Sequence, residues 1–135
     1  MSHALTITVR GSFEATLDAT RASLTDQGFG ILTEIDLQVT LKAKLDVEVR
    51  PQVILGACRP ALAHAALQVE PSIGLLLPCN VAVRSLDDDT TLVEALDPKV
   101  MVQLTGNDAL SSIADDAGQR LAAALHILTQ VPATT

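Results

Sequence analysis

Aromatic side chains are nearly absent from this 135-residue chain, which has no Trp, no Tyr and only two Phe. Such a sequence offers no platform on which to stack the bases of a single-stranded nucleic acid, and its core must be filled by Leu, Ile, Val and Ala. Positive charge is scarce as well. Nine Lys and Arg against 16 Asp and Glu give a net charge of −7, the wrong sign for displacing counterions from a phosphate backbone, so no nucleic-acid partner is expected. Long apolar runs are missing: residues 53–57 and 73–77 fall far short of the roughly 18 needed to cross a bilayer. Met1-Ser2-His3 leads straight into an alternating pattern, without the basic start and apolar stretch of a secretory signal. A cytoplasmic location without a membrane span is expected. Cysteine is limited to Cys58 and Cys79, too few for a disulfide scaffold and expected as thiols in a reducing compartment. Established catalytic motifs are absent too. There is no Walker loop, dinucleotide fingerprint, G-x-S-x-G elbow or H-E-x-x-H, and Gly28-Phe29-Gly30 opens a strand rather than a helix, which makes it a turn and not a phosphate cradle.

What is present reads as one domain over residues 1–135, with an ordered core at about 4–130 and a short frayed tail over 131–135. Leu5, Ile7 and Val9 alternate with Thr6 and Thr8, the period of a half-buried strand. Ser12 is placed to cap a helix carrying Phe13, Leu17, Thr20 and Leu24 on one face, and Gly28 is placed to terminate it. Phe29, Ile31, Thr33 and Ile35 alternate with Gly30, Leu32 and Glu34 as a second strand. Asp36 then caps a short helix in which Leu37, Leu41 and Leu45 form an apolar face opposite solvated Lys42 and Lys44. Residues 52–57 are apolar on both faces, as in a strand buried inside a sheet. Pro60 opens an Ala-rich helix over residues 61–69, which Pro71, Ser72 and Gly74 end. Residues 80–86 and 90–96 flank the acidic turn Asp87-Asp88-Asp89 as a hairpin. A helix starts at Asp97-Pro98, and past Gly106-Asn107 a long one carries Leu110, Ile113, Ala117, Leu121, Leu125 and Leu128 along one stripe. This order predicts an α+β fold, an antiparallel β-sheet with helices packed mainly on one face.

The segments Gly28-Phe29-Gly30-Ile31-Leu32, Ile54-Leu55-Gly56-Ala57-Cys58-Arg59-Pro60 and Leu75-Leu76-Leu77-Pro78-Cys79-Asn80-Val81, in this order, resemble the family catalogued as domain of unknown function 302. The resemblance extends over nearly the whole chain, including Asp97-Pro98 and Gly106-Asn107. It implies a curved antiparallel sheet with TATA-binding-protein-like topology and a homodimer. It implies no activity and no cofactor, and a shared fold does not import DNA binding. The family pattern places Asn after the first cysteine, whereas Arg59 stands here; Arg is the poorer N-cap, which weakens the expected start of that helix.

The two cysteines carry the one constellation of interest, since each sits at a Pro-marked junction. Cys58 precedes a predicted helix whose first-turn N–H groups favour a thiolate, and Arg59 adds positive charge beside it. The competing reading makes both cysteines small buried packing residues. A pocket for a small molecule, or a thiol-dependent site, is expected around Cys58, Arg59, His64, Leu77, Cys79 and Asn80, with Leu75 and Leu76 in its wall. Cys58, His64 and Cys79 could instead form an open zinc-like ligand set, although no C-x-x-C or H-x-x-x-H spacing supports one. His3 and His126 read as peripheral. Asp108, Asp115, Asp116 and Glu94 read as solubilising charges on outer faces. The alternative to a pocket is a structural or interaction module that acts through dimerisation and a protein partner.

Overall fold

The computed structural model describes residues 3–129, so the tail expected at 131–135 lies outside the described residues. Strand β1 (Ala4–Arg10) leads into α1 (Phe13–Asp26), where the Ser12 hydroxyl accepts a hydrogen bond from the Ala15 N–H at 3.2 Å. The helix ends as expected, with Gly28 in the left-handed region at φ 86°. Strand β2 (Gly30–Asp36) follows, then α2 (Leu37–Leu45), capped by the Asp36 carboxylate on the Val39 N–H. Next come β3 (Gln52–Cys58) and α3 (Pro60–Val69), whose start at Arg59 has no side-chain cap. A 3₁₀ segment (Pro71–Leu76) precedes the hairpin of β4 (Cys79–Asp87) and β5 (Thr90–Leu96). The chain closes with α4 (Lys99–Thr105), a short 3₁₀ turn (Asp108–Leu110) and α5 (Ser111–Leu128).

The five strands form one antiparallel sheet in the order β1-β5-β4-β3-β2. Helix α1 therefore carries the chain from one edge of the sheet to the other. Helices α1 and α5 share a single face of it, where the Ser23 hydroxyl of α1 donates to the Ala124 carbonyl of α5. Under them lies a cluster built on Leu17, Leu24, Leu55, Val81, Val83, Val93, Leu121 and Leu125. The α+β architecture expected from the sequence is thus the one observed. A second, smaller cluster of Ala66, Ile73, Met101, Leu110 and Ala114 joins α3, the 3₁₀ segment, α4 and the start of α5.

Two local expectations need correction. The even alternation expected through β2 is broken by a β-bulge, since Ile31 lies opposite Ala57 and Thr33 opposite Gly56. One extra residue, Leu32, inverts every later side chain. Glu34 consequently turns towards α1 and accepts hydrogen bonds from Arg21 at 2.6 and 3.0 Å, while Thr33 goes to the other face beside Gly56. Helix α2 forms at its expected place but buries no residue, and Leu45 is 65 % exposed, so the apolar face read from Leu37, Leu41 and Leu45 has no core beneath it.

Candidate functional site

Cys58 is the last residue of β3 and Cys79 the first of β4, and these two strands are neighbours. In their register Cys79 stands directly opposite Ala57, one residue before Cys58. Both cysteines border one cavity of about 20 Å³. Around it lie Ala57, Cys58 and Cys79 of the sheet, Phe29 just before β2, Leu62, Ala63 and Ala66 of α3, and Leu77, Met101, Ile113 and Ala117. The cavity therefore lies on the seam between the large cluster, to which Phe29 and Ala57 belong, and the small one, to which Ala66 and Met101 belong. Small side chains explain why a gap survives there. With alanines at 57, 63, 66 and 117, and no ring larger than that of Phe29 to fill the space, the two clusters meet without closing.

Arg59 also borders the cavity. Its Nε is buried without a hydrogen-bond partner among the described residues, an arrangement that folded proteins normally avoid. The guanidinium lies over the turn at Gly28: a Cβ on Gly28 would come within 3.1 Å of that Nε. The absence of a side chain at Gly28, whose positive φ already favours glycine, lets the cation lie back against the start of β2.

The two thiols differ in setting. Burial in the mostly apolar wall pushes the Cys79 thiol up from 9.0 to about 11, and the neighbouring Cys58 adds to the rise. Desolvation disfavours the anion, and a second thiolate close by disfavours it further. Cys79 is therefore a protonated thiol throughout the neutral range.

Four of the six expected site residues, Cys58, Arg59, Leu77 and Cys79, come together around the cavity. Two do not. His64 lies on the outer side of α3, away from the stripe of Leu62, Ala63 and Ala66, and is exposed. Asn80 is exposed, because strand alternation turns it away from the face that holds Cys79. The wall expected from Leu75 and Leu76 is corrected as well: the 3₁₀ segment leaves Leu75 88 % exposed and packs Leu76 against the small cluster. With His64 outside, Cys58, His64 and Cys79 do not assemble as ligands, and no group of three His, Cys, Asp or Glu among the described residues could hold a metal ion. Phe29, Met101 and Ile113 were missed by the sequence reading, since each looks like an ordinary core residue of its own element. Two larger, shallower grooves of about 250 and 310 Å³ run along α4 and α5, sharing Lys99, Ala114 and Asp115, and contain none of the expected site residues.

The fold is a two-layer α+β domain in which both cysteines border one small cavity, and no described helix is long and apolar enough to cross a membrane. Residues 5–128 match the domain of unknown function DUF302, and the chain belongs to that family. It is similar to the uncharacterized conserved protein DUF302 from Bacillus stearothermophilus, whose crystal structure superposes with a TM-score of 0.86 at 30 % identity, covering 93 % of this chain and 98 % of that one. No curated protein matches the sequence.

Proposed function

We propose that this protein is a thiol-dependent module in which Cys58 is the reacting group, with Arg59 as the adjacent cation and Cys79 and Leu77 as the floor of the niche. One observation carries this reading: Cys58, Arg59 and Cys79 border the same cavity. At about 20 Å³, that cavity has room for little more than a water-sized group, whereas sites that enclose whole metabolites run to roughly 300 Å³ and above. A small reactive group reaching a thiol fits it better than storage of a bulky ligand. His64 and Asn80 have no part in the reading.

Limited alkylation of the native protein near neutral pH is expected to label Cys58 before Cys79. Raising a thiol from 9.0 to about 11 lowers its thiolate fraction about a hundredfold. The greater nucleophilicity of a more basic thiolate returns about tenfold, leaving Cys79 slower than an ordinary thiol by about tenfold. Replacing Arg59 by Ala should slow the labelling of Cys58 about threefold. If neither cysteine is labelled until the protein unfolds, both are packing residues and the thiol reading is lost.

A second reading, an interaction module that pairs with another copy of itself, is favoured by α2 and its surroundings. A nine-residue helix with no buried residue is too short to hold its shape alone in water, and Leu32, Val39, Leu45 and Val47 leave an apolar surface beside it. Covering such a surface is what a symmetric dimer does. Light scattering at micromolar protein should then return twice the chain mass of 14.2 kDa; a monomer mass would end this reading and leave the thiol reading untouched.

A further inference from the structure

We infer that Cys58 and Cys79 form a two-thiol redox centre in which Cys58 is oxidised by a small hydroperoxide and Cys79 resolves it as an intramolecular disulfide. This rests on the reading of Cys58 as the reacting group and adds the class of reactant and the role of the second sulfur.

The geometry comes from the register. Cys79 faces Ala57 across β3 and β4, and Cys58 is the next residue along. Neighbouring strands about 4.8 Å apart and a rise of about 3.3 Å per residue place the two cysteine Cα atoms about 6 Å apart. Disulfides span Cα separations of roughly 4.4–6.8 Å. Strict alternation sends residues 57 and 58 to opposite faces, and Cys58 is still paired with Gly30 of β2; the approach of the two sulfurs is carried instead by both cysteines bordering the one cavity at the end of β3 and by the charge of Cys58 acting on the Cys79 thiol. The size of the cavity selects the oxidant. A niche of about 20 Å³ has room for one small polar molecule such as hydrogen peroxide, and does not enclose a bulky disulfide such as glutathione disulfide. The wall is otherwise mostly apolar, and Cys79 is the only other thiol on it.

The chemistry balances without a further reactant. The Cys58 sulfur attacks one peroxide oxygen; the O–O bond breaks, an S–O bond forms, and the thiol and hydroperoxide become a sulfenic acid and an alcohol, or water when the oxidant is hydrogen peroxide. The Cys79 sulfur then attacks the Cys58 sulfur; the S–O bond breaks, the S–S bond forms, and the hydroxyl leaves with the Cys79 proton as water. Two sulfurs have together lost two electrons to the peroxide.

The test exposes the full chain to hydrogen peroxide, blocks the remaining thiols and maps peptides without reduction. Trypsin is unsuitable, because Arg59 is the only Lys or Arg between the two cysteines and Pro60 follows it, which leaves both in one peptide; a protease that cuts after leucine separates them. The native protein should yield a linked peptide pair lacking two hydrogens. Cys79→Ser should stop at a Cys58 sulfenic acid captured by dimedone. Cys58→Ser should lose its remaining thiol at least about tenfold more slowly than the native protein loses Cys58. A native protein whose Cys58 is oxidised while Cys79 stays a free thiol, or whose only disulfides join two chains, overturns the redox centre but leaves Cys58 as the reacting group. Failure of Cys58 to react with either peroxide or alkylating agent removes both. The native map alone decides the matter if either variant fails to fold.

Discussion

Truncating Leu121 to Ala is expected to cost about 3 kcal/mol of unfolding free energy, seen as a melting temperature lower by roughly 10 °C for a chain of this size. Leu121 is completely buried within the large cluster, where α5 meets α1 and the sheet. Removing its branched end deletes transfer free energy and leaves a void that the neighbouring β-strands, fixed by their hydrogen bonds, cannot close. Thermal unfolding followed by circular dichroism checks this, and Leu104→Ala serves as the control, because Leu104 is 67 % exposed and its loss should shift the midpoint little. Equal shifts in the two variants would contradict the assignment of Leu121 to the centre of the core.

The second large effect lies in alkali. Cys79 titrates at about 11 in the folded protein and near 9.0 when free. For an acid raised by folding, the native state binds the proton more tightly, so its contribution is fully present below about pH 9 and is lost as the pH rises through about 11. Two pKa units correspond to about 2–3 kcal/mol. Urea unfolding of the native protein and of Cys79→Ser, at about pH 8 and again at about pH 11, should therefore show the native protein losing that much relative to the variant, which has no proton to shed. Parallel losses in the two proteins would mean that the Cys79 thiol is not buried as described. The two experiments act on different parts of the molecule, since Leu121 reports on the seat of α5 and Cys79 on the rim of the sheet.

Most of the architecture was legible in the sequence because the signals were local. Ser12 and Asp36 cap the helices that they were expected to cap, Pro60 opens α3, and the acidic turn after β4 joins a true hairpin. The bulge at Leu32 was not legible. The pattern of Phe29, Ile31, Thr33 and Ile35 continues unbroken through it, and the inversion is visible only in the pairing with β3. The site was half legible for a similar reason. Cys58 and Cys79 could be singled out by their junctions, but their shared cavity depends on the strand register. His64 misled because an Ala-rich helix has little contrast between its faces, so no periodicity indicated which way the imidazole would point.

Helix α5 belongs to both hydrophobic clusters. Ala114 in its first half packs in the small one, while Leu121, Ala124, Leu125 and Leu128 in its second half pack in the large one. Gly118 stands between them, where an added Cβ would meet the ring of Pro98 at 3.8 Å. The consequence is that one helix seats two separately packed regions. Replacements at Ala66, Met101 or Ile113 would reshape the cavity from the helical side without altering any residue of the sheet.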